Sequence, residues 1–401
     1  MATSSQSQPV RLARPLKPIQ SVLVKPTGPD CNIDCAYCFY LKKASLFPEQ
    51  KIHRMSLATL EELIRQVMQN ATGPISFGWQ GGEPTLMGLD FFRKAVEFQQ
   101  RYGGTGQNVA NGLQTNGTLI TEEWCPLFRD FNFLIGLSLD GPRHVHDHYR
   151  LSKGGEPTWE RVIKTARLFQ RNKVEFNGLT VVNDYSAQFP EEIYDFHKSE
   201  GIRFMQFIPC VETDPLDPTQ QAPFSVTPEA YGEFLCRVFD KWIKDFKHGK
   251  PTTSVRWFDA VLHTYVGMLP PECTLLRECG VYVVVEHNGD VYACDFFVEP
   301  TWKLGNLHQD DLLEMLNSDR QYEFGANKAK LPPECVTCEY LTHCQGGCPK
   351  DRQRNPRTQG SNHFCRSFKM FFAHAHSRLQ RLGEQWIADQ RRQAQTAPRR
   401  P

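Results

Sequence analysis

Several things are scarce in this 401-residue chain, and each scarcity removes a class of function. No apolar run approaches the ~18 residues needed to span a bilayer, so no membrane partner is expected. Excess charge of either sign is missing: 46 Lys and Arg face 45 Asp and Glu, a net charge of +1. Nothing in that balance argues for a nucleic-acid-binding face or an acidic partner. The opening MATSSQSQPVRLARPLKPIQ has basic residues but lacks the apolar core of a secretion signal. A cytoplasmic location is therefore expected. Internal repeats are absent as well.

Cysteine, by contrast, is abundant. There are fourteen, and eleven of them fall into two sets: C-x3-C-x2-C at Cys31, Cys35 and Cys38, and a dense group from Cys273 to Cys365. Small secreted scaffolds distribute cysteines through a short chain to staple it. Tight clustering without a secretion signal points to metal instead. Cys125, Cys210 and Cys236 lie in apolar stretches and read as core packing.

From residue 19 to 209 short apolar strands alternate with amphipathic helices. Strands are expected at 19–24, 75–80, 109–114, 133–139, 174–182 and 203–209. One helix should start at Ser56, a good N-cap, with Leu60, Ile64, Val67 and Met68 on one face. Others cover 89–101, 121–130, 158–171 and 189–200. Parallel neighbours need crossover connections, so this pattern implies a parallel sheet curled into a partial (β/α)6 barrel of the TIM type. In such a barrel chemistry gathers in the loops after the strand C-termini. Those loops carry Cys31–Cys38, Gly81-Gly82-Glu83-Pro84, Thr115-Asn116-Gly117, Ser138-Leu139-Asp140-Gly141, Asn183 and Pro209-Cys210.

The expected organisation is an N-terminal extension (1–18), the barrel (19–226, ending in a Pro- and Asp-rich linker), a helical region (227–272), a cysteine-rich α+β domain (273–382) and a polar, disordered tail (383–401). Within the cysteine-rich domain, two alternating strands flank Asn288-Gly289, a type I′ hairpin signal.

Three thiolates on a C-x3-C-x2-C loop can hold three irons of a cubane cluster and leave the fourth iron open to chelate a substrate. The alternative is zinc, which normally takes four ligands in a structural site; His53 is the one histidine arguable as the fourth. His144, His146 and His148 look like a metal tract but read as solvated loop histidines. The second set is C-x5-C-x14-C followed by C-x2-C-x5-C-x3-C-x16-C. Its eight thiolates suffice for two cubane clusters or for two zinc ions.

Cys31-Asn-Ile-Asp-Cys35-Ala-Tyr37-Cys38 resembles the signature of the radical S-adenosylmethionine superfamily. The resemblance implies that Gly82 meets the methionine amino group through its backbone, that Ser138 and Arg150 serve the ribose and carboxylate, and that Tyr37 lies near the adenine. The second cysteine set resembles the SPASM auxiliary-cluster domain. The combination, with CFYL, WQGGEPTL, QTNGTL, GLSLDGP, QFIPCVE, EHNGDVYACD and GGCPK, resembles the anaerobic sulfatase-maturating enzymes over about residues 20–375.

That resemblance implies three 4Fe-4S clusters and S-adenosyl-L-methionine as cofactors. It assigns Cys273, Cys279, Cys294 and Cys348 to a first auxiliary cluster and Cys335, Cys338, Cys344 and Cys365 to a second, an interleaving that spacing does not yield. Val211 falls near a cofactor-contact position. The implied substrate is an unfolded sulfatase polypeptide whose Cys or Ser, within C-x-P-x-R or S-x-P-x-R, becomes Cα-formylglycine, with an electron donor such as flavodoxin or ferredoxin. Asp295 matches the position of the base. Other SPASM enzymes build thioether or carbon–carbon crosslinks, often with an N-terminal leader-binding domain; only thirty residues precede Cys31 here. A non-catalytic zinc scaffold has no use for the motifs at the barrel-strand ends.

Overall fold

The computed structural model describes residues 14–214, 216, 217, 219–247, 249–353 and 360–396. Six strands and six helices build its first half: β1 (Ser21–Lys25), α1 (Leu57–Asn70), β2 (Ile75–Trp79), α2 (Leu89–Tyr102), β3 (Val109–Thr115), α3 (Trp124–Asp130), β4 (Phe133–Ser138), α4 (Arg143–Tyr149), α5 (Trp159–Arg171), β5 (Phe176–Val182), α6 (Pro190–Ser199) and β6 (Phe204–Pro209). Neighbouring strands from β1 to β6 all pair in parallel. The reason lies in the sequence pattern. Leu60, Ile64, Val67 and Met68 of α1 and Phe91, Phe92 and Val96 of α2 are buried against Val22, Phe77 and Trp79 of the sheet, so each crossover helix covers apolar strand residues. Ser56 caps α1 as expected, its hydroxyl accepting from the Thr59 N–H at 3.0 Å.

The barrel stays open because its edges are occupied by other strands. β1 pairs in parallel with β7 (Val283–Glu286), in the register Val22↔Val283 to Lys25↔Glu286. β7 turns back into β8 (Asp290–Tyr292) and β9 (Lys303–Asn306), both antiparallel. A two-residue strand, Ser254–Val255, lies on the far side of β6. The ten-stranded sheet therefore runs from Ser254–Val255 at one edge through β6-β5-β4-β3-β2-β1-β7-β8-β9. One continuous sheet runs across the expected barrel and cysteine-rich domains. The β7–β8 hairpin is not type I′. Its loop has three residues, His287, Asn288 and Gly289, and only Gly289 has a positive φ, +86°. The Gly289 N–H donates to the Glu286 carbonyl at 2.9 Å. The extra residue accommodates His287, whose buried ring lies 4.9 Å from those of Phe47 and His53.

Helices α7 (Pro228–Trp242), α8 (Arg256–Tyr265), α9 (Asp319–Ala329) and α10 (Cys365–Thr396) complete the described fold, together with shorter segments. Phe234, Val238, Phe258, Phe371 and Phe372 form a second core among α7, α8 and α10. Helix α10 runs well beyond the expected 382, so the tail expected to be disordered is helical to Thr396. The physical reason is apolar contact: Leu382 and Trp386 pack on the second core, and the Trp386 ring lies 5.5 Å from His263. Residues 1–13 and 397–401, parts of the expected extension and tail, lie outside the described residues. No helix among the described residues is long and apolar enough to cross a membrane.

The Ser56 cap is remote from the cysteines, so Ser56→Ala should cost about 1 kcal/mol. A small drop in the denaturant midpoint with unchanged iron content is the expected outcome.

Candidate active site

The loop after β1 carries Cys31, Cys35 and Cys38 and is pinned from two sides. Ile33–Cys35 pairs antiparallel with Arg150–Ser152, placing Cys35 opposite Arg150. The Ala36 N–H donates to the Tyr149 carbonyl at 3.2 Å and the Cys38 N–H to the Cys35 carbonyl at 2.9 Å. The three thiols interact electrostatically with one another. Burial pushes Cys31 up to about 11 and Cys35 up to about 12, and raises Cys38. Cys210, read as core packing, is buried in the same apolar cluster as Ile33, Cys35 and Tyr37. Cys125 is buried and Cys236 half-buried.

The next two barrel loops lock onto this one. The Gly82 N–H donates to the Gly28 carbonyl and the Glu83 N–H to the Asp30 carbonyl, both at 2.8 Å. A Cβ at position 82 would lie 1.9 Å from the Asp30 carbonyl oxygen, so the chain's own packing demands glycine there. Buried Glu83 accepts from the Thr85 hydroxyl (2.6 Å), the Thr115 hydroxyl (2.7 Å) and the Asn116 N–H (2.7 Å). Asn116 in turn donates to Asn32 at 2.8 Å and to the Cys31 sulfur at 3.7 Å. Burial raises the Glu83 carboxyl's pKa against the pull of these donors.

Asp140, 1% exposed, is the hub on the other side. It accepts from the Tyr37 hydroxyl, from Arg150 Nε at 2.8 Å and Nη2 at 3.3 Å, and from the Val181 N–H at 2.8 Å. Arg150 also donates to the Cys35 sulfur at 3.7 Å and sits 5.3 Å over the Tyr37 ring. Tyr37 and Arg150 thus form one buried unit with the cysteine loop. Ser138 is buried at the end of β4. Val211 is fully buried in the second core.

The histidines depart from expectation. His146 is not solvated: it is fully buried on α4, contacting the Asp140 N–H at 3.3 Å and Thr158 at 3.0 Å, because α4 folds back beneath Asp140. His144 instead pairs with Glu192 at 2.9 Å and His148 stacks on Tyr185 at 3.8 Å. His53 has both ring nitrogens engaged, Nδ1 by Asp30 at 2.7 Å and Nε2 by the Phe47 carbonyl at 3.1 Å.

The eight remaining cysteines separate into two quartets. Cys273 interacts electrostatically with Cys279, Cys294 and Cys348, and Cys335, Cys338, Cys344 and Cys365 interact among themselves. The second four line one small cavity with Tyr340, Phe368 and Phe372. Burial pushes Cys273, Cys294 and Cys344 up to about 12. Among the described residues, no three His, Cys, Asp or Glu side chains converge closely enough to hold a single metal ion. A zinc site needs sulfurs about 2.3 Å from one ion, whereas a cubane binds each cysteine at a separate iron. Free thiols, buried or half-buried and grouped as three, four and four, fit three iron–sulfur clusters.

Asp295 follows Cys294 and pairs with Lys25 at the end of β1; no hydrogen bond of regular geometry reaches its Oδ1 among the described residues. Lys25 is only 2% exposed and its ammonium lies 4.3 Å over the Tyr40 ring. Phe296 packs 5.0 Å from Phe39, beside Cys38. Asp295 is thereby held where the first cysteine loop meets the cysteine-rich domain.

The Radical SAM superfamily matches residues 26–197 and an iron-sulfur cluster-binding domain, SPASM, matches 277–339. The serine-type anaerobic sulfatase-maturating enzyme of Bacteroides thetaiotaomicron is 40% identical over 370 residues, covering 88% of each chain. The cysteine-type enzyme of Clostridium novyi is 37% identical over 361 residues, 90% of this chain and 96% of its own. The chain belongs to the anaerobic sulfatase-maturating enzymes. The solved structure of native anSMEcpe with bound AdoMet and Cp18Cys peptide superposes with a TM-score of 0.84 at 35% identity, over 92% of this chain and 99% of that one.

Within this sulfatase-maturating family member, sequence reasoning singled out the cysteines and Asp295 but gave no role to Lys25, Glu83, Asn116 or Asp140, nor to Lys328, which is buried against the Cys273 carbonyl. Glu83 and Asp140 stand inside recognised motifs, and their signal was a carboxylate next to a glycine at a strand end. Lys25 could have been singled out as a charge closing an apolar strand. Lys328 carries no such signal.

His146 gives a pH-dependent stability. Burial holds its folded-state pKa down to about 3, below the unfolded value of about 6.5. The unfolded chain therefore binds a proton that the folded chain refuses, and stability is lost as pH falls below about 6.5, by up to about 1.4 kcal/mol per pH unit. Between pH 7.5 and 5 the denaturant midpoint should fall, and His146→Gln should flatten that dependence.

Proposed function

We propose that this enzyme oxidises a Cys or Ser of a sulfatase polypeptide to Cα-formylglycine; its relatives are named serine-type and cysteine-type anaerobic sulfatase-maturating enzymes. The observation that carries the reading is Asp295, a carboxylate fixed by Lys25 between the first cysteine loop and the first auxiliary quartet. Cys31, Cys35 and Cys38 would hold the first cluster. Cys273, Cys279, Cys294 and Cys348 would hold one auxiliary cluster, and Cys335, Cys338, Cys344 and Cys365 the other. When bound, the first cluster with S-adenosylmethionine would supply the radical chemistry for hydrogen abstraction at Cβ, and the auxiliary clusters would supply an electron acceptor.

The protein's own part is to bind, orient and move a proton. A methionine ammonium is a donor and calls for a carbonyl acceptor, which the main chain around Gly82 offers. Arg150 is held rigid by Asp140 and can present its outer N–H groups to a carboxylate. Tyr37 and Ser138 complete the cofactor surface. Asp295 accepts the substrate's thiol or hydroxyl proton, and the ion pair with Lys25 holds the carboxylate in place. The polypeptide is taken before it folds, through the open side of the barrel, and a flavodoxin or ferredoxin supplies electrons in the cytoplasm.

Two measurements test this reading. Anaerobic incubation with peptides bearing C-x-P-x-R or S-x-P-x-R should yield the formylglycine product by mass spectrometry. Enzyme purified anaerobically should hold about twelve irons with matching sulfide, and Ala at Cys31, Cys35 and Cys38 should remove about four of them and abolish deoxyadenosine formation. Stoichiometric zinc without sulfide would refute it.

Asp295→Asn isolates the base. The amide keeps the shape and an oxygen facing Lys25 but has no accessible basic state. Iron content and reductive cleavage of S-adenosylmethionine should persist, while formylglycine yield falls by about 10²–10⁴-fold. Undiminished yield would show that the base lies elsewhere.

A further inference from the structure

Helix α9 turns one face entirely to the loops that carry the first auxiliary quartet. Gln321, Gly325 and Lys328 stand at i, i+4 and i+7, a single stripe of a helix. Gln321 donates to the Tyr282 carbonyl at 2.9 Å and to the Ala293 carbonyl, beside Cys294, at 3.4 Å. At Gly325 the helix touches the Cys279 backbone: a Cβ there would lie 2.5 Å from the Cys279 carbonyl oxygen, and the Cys279 N–H donates to the Gly325 carbonyl. Lys328 reaches the third ligand loop. Its ammonium donates to the carbonyls of Cys273 and Thr274, each at 2.9 Å, and to that of Leu276.

Lys328 is fully buried. A buried ammonium without a carboxylate partner is expensive, and three carbonyl acceptors match its three N–H donors but bring no negative charge. Burial lowers its pKa and Arg352 acts in the same direction, while Cys279, Cys273 and Cys348 pull it back up. The anions that can balance it are these three cysteines once they are thiolate ligands of a bound cluster. Arg352 adds a second cation, donating to the Lys328 carbonyl at 2.9 Å.

We propose that Lys328 is a positioning residue for the first auxiliary cluster: it ties down the Cys273 loop and sets a fixed positive charge beside Cys273, Cys279 and Cys348, which favours the cluster's reduced state. This rests on reading those cysteines with Cys294 as ligands of one cluster. One-electron reduction, by a chemical reductant such as dithionite in a titration, adds one negative charge to the cluster and its four thiolates. A cation held against them stabilises the more negative state, and its removal lowers the midpoint potential.

The experiment is a redox titration of the anaerobically purified holoenzyme, followed by electron paramagnetic resonance, for wild type, Lys328→Gln and Lys328→Arg. Glutamine removes the charge yet keeps two N–H donors for the loop; arginine keeps the charge. The proposal expects one of three midpoints to move down in the glutamine variant, the other two to stay, and the arginine variant to resemble wild type. If glutamine loses iron while arginine keeps both iron and midpoint, the requirement for charge is upheld. Full iron with unmoved midpoints in Lys328→Gln would overturn it, as would equal iron loss in both variants, which would leave only a packing role. Wild-type enzyme holding about eight irons would instead sink the three-cluster reading, so the two failures are distinguishable.

Discussion

The pairing of β7 along the free edge of β1 is the constraint on which the rest of the site depends. β1 delivers the first cysteine loop and β7 leads into the hairpin that ends at Cys294 and Asp295. Two elements separated by more than 250 residues thereby share one ladder, and register becomes geometry: Lys25 opposes Glu286. The ion pair between Lys25 and Asp295 follows from that register, since a shift by one residue would turn the lysine to the other face.

Around this seam the molecule meets the cost of buried charge by pairing each charge with its own network. Lys25 faces Asp295 and the Tyr40 ring, the Tyr40 hydroxyl donates to Glu286, Asp140 gathers Arg150 and Tyr37, and Glu83 gathers Thr85, Thr115 and Asn116. Each network joins loops from different strands. The cysteine loop is consequently held by contacts from the second, third and fourth barrel loops, which suits a site whose thiols must be placed before they can bind a cluster. The auxiliary quartet uses a different device, a helix face, with Gly325 and Lys328 at its contact points.

Much of this was legible along the chain. The six barrel strands were readable because each is an apolar run bounded by turn residues and followed by a helical stripe. The chemistry was readable because cysteines at short spacing and glycines at strand ends have few structural uses. The hairpin turn was misread because Asn288-Gly289 signals a two-residue loop, and only the burial of His287 against Phe47 and His53 requires three. His146 was read as solvated because three alternating histidines on a polar stretch do not reveal that α4 folds beneath Asp140. The helical reach of α10 was missed because its polar composition hides two apolar contacts, Leu382 and Trp386.

By itself, the sequence determined the parallel barrel, the face on which its chemistry lies and the eleven cysteines available to clusters, since periodicity and spacing are local properties. Which of the eight later cysteines come near one another depends on tertiary structure, because Cys348 meets Cys273 only through chain reversals that spacing does not encode. It also decided which charges meet. Lys25 and Asp295, or Lys328 and the Cys273 loop, are ordinary residues until a shared sheet or a helix face excludes water and leaves each with only the partner that the fold supplies.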